Sequence, residues 1–199
     1  MAEVRGLFEQ AAAGEGLAAL LQKLTEIEQV ALEKIPASPN SPGVVNITEG
    51  LIRALDQPVH FGEGGEIKPT AFGDSESRGL SVNRQLHITA DAAMELARAR
   101  VLAVNQRKTE AIGAAPPITR STVAYAILNT AELRAMSWSA QGVTRRAFGV
   151  YDTAKSDDIS HGDVCVLVAG KHAHRSVREK LYQHAKLHIV RLPVVGADK

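Results

Sequence analysis

The chain has 199 residues, 45% of them hydrophobic and 23% charged, with a formal net charge of +1. That balance suits a soluble globular protein of one ordinary domain, or one domain plus an appendage. A single cysteine excludes an internal disulfide, no segment approaches the roughly 18 apolar residues of a membrane span, and the start Met1-Ala2-Glu3-Val4-Arg5 does not read as a signal peptide. These features together imply a reducing, cytoplasmic setting. With 4% aromatics the core must be aliphatic. Charge is uneven: residues 1–60 carry eight acids and four bases, whereas residues 171–199 carry seven bases and two acids. Such asymmetry marks an anionic partner, an attraction between the two ends of the chain, or an ordinary dipolar surface.

In chain order, Val4, Leu7, Phe8 and Ala11 predict a short helix, separated by Gly14 and Gly16 from a longer one. Leu17, Leu20, Leu21, Leu24, Ile27 and Ala31 recur at spacings of three and four and predict that second helix as one continuous stripe. Pro36 to Gly43 reads as a linker. This divides the chain into a helical appendage over 1–35, a linker over 36–43 and an α+β domain over 44–199. Gly62-Glu63-Gly64-Gly65 is turn material, lacking the residues of a phosphate loop. A strand is predicted over 79–84, and Thr89 caps a helix to about Lys108. Pro116-Pro117 breaks the chain. Further strands are predicted over 123–128, 147–151 and 164–169. Asn129 or Thr130 caps a short helix through Met136. Ser176 with Glu179 predicts a capped helix to about Leu187, and residues 188–192 a last strand. Strands and helices mix without a regular βαβ period, which predicts a small mixed sheet with packed helices.

Two short boxes carry the candidate chemistry. In the first, Leu80, Val82 and Arg84 share one face of a strand, and Ser81, Asn83 and Gln85 the other. An arginine in line with core residues needs a partner: Arg84 either grips a phosphate or carboxylate ligand or pairs with an acid on a neighbouring strand. In the second, His161, Asp163 and Cys165 point one way, and Val164 and Val166 the other. Asp163 is a partner for Arg84 or for His161; alternatively Ser160-His161-Gly162-Asp163 is a turn. Cys165 amid valines reads as a small buried hydrophobe, because alternate strand residues lie about 6.6 Å apart and do not readily form a triad. His172, His174, His184 and His188 have spacings a metal could use, yet without a cysteine or an HExxH arrangement they read as solvated surface, and no metal is assigned. The sequence leaves the cofactor unknown.

Ala71, Phe72, Leu80, Ser81, Val82 and Arg84, followed by His161, Gly162, Asp163 and Val164, resemble the paired "AF…LSVxR" and "HADI"-like segments of a diffuse group of short bacterial proteins. The resemblance covers about residues 50–170, and Gly162 stands where the group carries a small Ala. It implies a bacterial, cytoplasmic protein of an accessory or defence-type gene cluster, and no activity comes with it.

Three functions are then open. The first is a non-enzymatic subunit whose acidic helical hairpin or basic C-terminal face docks on another protein chain or a second copy. The second is an enzyme acting on a nucleotide or phosphate-bearing ligand: Arg53 or Arg84 binds the anion, Ser81 orients it, and His161 with Asp163 serves as acid/base pair. A strand arginine followed by a strand serine distantly resembles ADP-ribosyltransferases, although their glutamate motif is not evident; a hydrolase is the other form of this reading. The third is nucleic-acid binding through Arg175, Arg178 and Lys186. The sequence favours the first.

Overall fold

The structure is a computed structural model that describes residues 2–112 and 119–193, so the expected break at Pro116-Pro117 lies outside the described residues. Helices α1 (Ala2–Gln10), α2 (Leu17–Leu21) and α3 (Glu26–Leu32) precede β1 (Gly50–Gln57) and β2 (Leu80–Arg84). A 3-10 helix at Pro69–Glu76 lies between these strands. Then come α4 (Ala90–Ile112), β3 (Ser121–Asn129), α5 (Thr130–Ala135), β4 (Ser137–Ala140), β5 (Val143–Arg146), β6 (Phe148–Asp152), β7 (His161–Val166), α6 (Lys171–Ala185) and β8 (Ile189–Arg191).

Six strands form one sheet in the order β6-β7-β2-β1-β3-β8, and β4 with β5 forms a separate hairpin. The α+β class holds, but every described pairing is antiparallel, so the expected mixed sheet is corrected. The physical reason lies in the connections. Among the described residues no helix carries the chain from one strand to a parallel neighbour within the sheet, and the returns between the consecutive strands β1–β2 and β6–β7 yield antiparallel pairs.

One face of the sheet is apolar across its width. Leu51, Leu80, Val82, Val150, Val164 and Val166 meet Val177 and Leu181 of α6, Phe72 of the 3-10 helix and Leu133 of α5. The opposite face is covered only at its two sides. At one side Tyr151, Cys165 and Leu167 pack against Phe8, Leu17, Leu21 and Leu32. At the other, Ile52 packs against Ala93 and Met94 of α4. Between these caps the sheet presents polar side chains. At the outer edge of the sheet, Glu33 accepts from the Val150 N–H at 2.5 Å and from Arg146 at 2.7 Å, covering part of the free side of β6.

Several expectations are revised. The single stripe over 17–31 is two helices. Thr25 caps α3 in a reciprocal capping box with Glu28, ending α2 early and turning Ile27 outward to 83% exposure. The 1–35 segment, expected as an appendage, shares its apolar cluster with β6 and β7. The 36–43 segment, expected as a linker, is tied down: the Ala37 N–H donates to the Asp152 carbonyl, and the Gly43 carbonyl accepts from Arg84. Gly16, at φ +83°, lets α2 lie against the 79–84 strand's approach, since an added Cβ would stand 2.6 Å from the Ser77 carbonyl oxygen. Helix α6 starts at Lys171 rather than at a Ser176 cap, which sits inside the helix. Thr89 does accept from the Ala92 N–H, as a capping residue should, and α4 runs on to Ile112. β1 and the β4–β5 hairpin were not anticipated. No helix among the described residues is long and apolar enough to cross a membrane.

Candidate functional site

The polar strip of the half-covered face is set by strand register. Ser81 pairs with Asp163 and Asn83 with His161, so these four side chains stand together on one face. The strand β7 begins at His161, so the second box lies within the sheet and not in a preceding turn. Sequence parity is therefore realised: His161, Asp163 and Cys165 share a face.

Asp163 accepts from the Thr153 hydroxyl at 2.7 Å and from the Ser81 hydroxyl at 3.5 Å. Its place depends on Gly79, whose φ of +101° and bare Cα leave room; an added Cβ would lie 3.0 Å from the carboxylate. The Lys155 ammonium lies 3.1 Å from His161 Nε2 and can only donate, so Nε2 carries the lone pair. The Nδ1–H then donates to the Thr153 carbonyl at 3.1 Å, with the Thr153 hydroxyl at 2.9 Å. His161 and Asp163 approach to 4.0 Å, bridged by Thr153 and without a direct hydrogen bond. Burial, with the Lys155 charge adding to it, holds the His161 pKa below the usual imidazole value even though Asp163 opposes the shift. Imidazole NMR of the wild-type protein should therefore show His161 titrating below pH 6.5. Lys155→Ala removes one lowering charge, and the midpoint should move upward; an unchanged or lower midpoint would contradict this geometry.

Asp158, buried beside this network, accepts from Arg100 of α4 at 2.6 Å and from Asn83 at 2.9 Å. It also accepts from the Ser160 hydroxyl at 2.6 Å. Burial alone would raise this carboxyl, but these donors outweigh it and hold the pKa below its ordinary value. The loop 153–160 is thus fastened to both the sheet and α4.

Two adjoining cavities open on the strip, of about 580 Å³ and 290 Å³. Asp74, Ser81, Lys155 and His161 line both. The larger runs towards α1 and the 37–39 segment. The smaller lies against α4 and β1 and is lined by Arg53, Arg100, Arg120 and Lys155 against Asp56 and Asp74.

The predicted ligand-binding arginines fare differently. Arg84 is 1% exposed and turned to the opposite, apolar face, paired with Glu49 at 2.8 Å and Asp152 at 2.9 Å. It cannot grip a ligand; its structural alternative is the one realised, with Glu49 and Asp152 as partners and not Asp163. Arg53 donates to the backbone carbonyls of Ser81 at 3.1 Å and Ala71 at 3.3 Å. The described β1–β2 pairing ends at Ile52–Asn83, and Arg53 occupies the Ser81 carbonyl just beyond. Its charge faces Asp74, Asp56 and Asp163. Arg175, Arg178 and Lys186 lie on or just after α6, which packs on the other side of the sheet from the cleft. Arg178 pairs with Glu76 at 2.8 Å, Lys186 lies over the Tyr182 ring, and Arg175 is exposed. His172 and His174 stand in the first turn of α6, while His184 and His188 lie at its far end. Among the described residues no group of three or more His, Cys, Asp or Glu is placed to hold a metal. Cys165 is buried, as its surroundings predicted.

Sequence reasoning did not single out Thr153, Lys155, Arg100, Arg120 or His60. Arg100 comes from α4, and Arg120 and His60 from segments distant in sequence from both boxes, whereas Thr153 and Lys155 lie in the segment between β6 and β7, just ahead of the second box. Compared with protein families, curated proteins and solved structures, the chain matches none.

Proposed function

We propose that the protein is an enzyme acting on a small phosphate-bearing ligand held in the cleft between the N-terminal helices and α4. The observation that carries this reading is the convergence of Ser81, His161 and Lys155 on both cavities, with Asp163 beside them on the larger one. A second feature supports it over a docking subunit: the N-terminal stripe expected as a docking surface buries Leu17, Leu20 and Leu21 in its own fold.

His161 has the arrangement of a general base. Its tautomer is set by the Thr153 carbonyl, and its Nε2 lone pair is directed at the exposed Lys155. An arriving anion draws the Lys155 ammonium to itself and leaves Nε2 free to take a proton from a water or ligand hydroxyl. Asp163 stabilises the imidazolium that forms, and Ser81 donates to the ligand in place of its long bond to Asp163. Arg100 and Arg120 supply further positive charge in the smaller cavity. Arg84, buried and fully engaged, has no part in this scheme.

The test is a thermal-shift titration with inorganic phosphate and ribose 5-phosphate. Both should raise the melting temperature of the wild-type protein in a dose-dependent way. Lys155→Ala and Arg120→Ala should weaken the apparent affinity by about tenfold each, the loss of one charge-assisted contact. Absence of any shift, or shifts equal in all three proteins, would overturn the reading.

A further inference from the structure

The two cavities differ in chemistry, and the difference defines the shape of a ligand that occupies both. The larger has apolar walls supplied by Phe8 of α1, Leu17 of α2, Ala37, Pro39 and Ala154. Polar groups of Glu9 and Ser38 stand among these walls. The smaller is lined by four basic side chains against two acids, and its His60 is held neutral by burial and by the surrounding cations. Ser81, Asp74, Lys155 and His161 form the junction, with Asp163 beside them on the larger side. Both volumes lie near or within the range of about 300–1,000 Å³ in which proteins enclose small ligands.

A bare anion would fill only the basic end. A phosphorylated aliphatic chain would cover the apolar walls but make no use of the Glu9 carboxylate, which is exposed, or of Ser38, whose hydroxyl accepts from the Asn40 N–H at 3.0 Å. A flat heterocycle has apolar faces and a hydrogen-bonding edge, and so satisfies walls and polar groups together. At the junction, sugar hydroxyls are the natural donors to Asp163, a carboxylate with acceptor capacity beyond its two hydroxyl bonds. Resting on the function proposed above, we infer that the ligand is a nucleoside monophosphate, its base between Phe8 and the 37–39 segment, its ribose at Asp163 and its phosphate among Lys155, Arg100 and Arg120.

Calorimetric titration of the full chain with the four ribonucleoside 5′-monophosphates, ribose 5-phosphate and inorganic phosphate tests this. At least one nucleoside monophosphate should bind about tenfold or more tightly than ribose 5-phosphate. Phe8→Ala should remove that advantage and leave ribose 5-phosphate affinity within about twofold of the wild type. Because Phe8 also packs on Tyr151, the exposed Glu9→Gln serves as a second variant; it should change the ranking of the four nucleotides without altering ribose 5-phosphate binding. Nucleotides that bind no better than ribose 5-phosphate would overturn this inference while the phosphate-ligand reading stands. An unchanged ranking in Glu9→Gln would also overturn it. Failure of every phosphate compound to bind would overturn both.

Discussion

Arg84→Leu should lower the unfolding free energy by about 3–5 kcal/mol, the loss typical of breaking a buried ion pair from one side. All five guanidinium protons are engaged. Nε and Nη2 meet the two Glu49 oxygens at 2.8 Å each, and Nη1 meets Asp152 at 2.9 Å. The remaining donors go to the Gly43 and Val44 carbonyls at 2.6 and 3.2 Å. Removing the cation strands two buried carboxylates and releases the 43–49 segment from the sheet. Burial by itself would raise the Glu49 pKa, but the Arg84 hydrogen bonds reverse this and hold it below the ordinary carboxylate range. Neutralising all three positions at once, as Glu49→Gln with Arg84→Met and Asp152→Asn, should cost less than Arg84→Leu alone, because no buried charge remains unpaired. Urea denaturation of both variants measures the difference. A loss below about 1 kcal/mol for Arg84→Leu would show that the triad does not hold the fold.

The second large effect concerns acid stability. His60 sits behind β1, where its Nδ1 accepts from the Asp56 N–H at 2.8 Å. Burial, then the charges of Arg53, Arg120 and Lys68, push its pKa down to about 3 from 6.5. The group is neutral in the folded chain, while the unfolded chain takes up a proton below pH 6.5. Its contribution is complete above that pH and declines as the pH falls towards the folded value. Between pH 7 and pH 5 the expected loss from His60 is roughly 2 kcal/mol. His161 and His184 are shifted in the same direction and add to the slope. Glu49 and Asp158, held low, lose their contributions only under more acidic conditions. His60→Asn keeps an acceptor for the Asp56 N–H and cannot titrate, so denaturation at pH 7 and pH 5 should show a smaller difference in the variant. An equal difference in both proteins would count against the assignment.

The parts of the fold that follow from nearest neighbours along the chain were legible. The alternation of β7 put His161, Asp163 and Cys165 on one face before any partner strand was known, and Thr89 marked the start of α4. Arg84 in line with Leu80 and Val82 announced a buried charge in need of a partner. Short motifs misled where they competed. The apolar recurrence over 17–31 suggested one helix, yet the Thr25–Glu28 box divides it, because satisfying the free N–H groups of a new helix start outweighs continuing the stripe. The Ser176–Glu179 pattern was the reverse case: a cap signature inside a helix that starts at Lys171, where the backbone amides are already bonded from His174 onwards.

The site itself was half legible. Ser81, His161 and Asp163 were recognisable as polar residues spaced along strands, but nothing local distinguished a structural role from a chemical one. That distinction came from pairing. Ser81 faces Asp163 because β2 and β7 lie antiparallel in one register, and a slip of a single residue would have sent one partner to the apolar face. Lys155, Thr153, Arg100 and Arg120 reach the same strip from separate segments, and their convergence depends on how α4 and the 153–160 loop pack. The sequence by itself determined an aliphatic α+β protein, which residues of β2 and of β7 share a face, and the need to pair Arg84. Only the tertiary structure decided that Glu49 and Asp152 meet that need and that the polar residues of β2 and β7 line an open cleft. Local preference is encoded over a few residues, whereas contacts between residues tens of positions apart are selected by the packing of the whole chain.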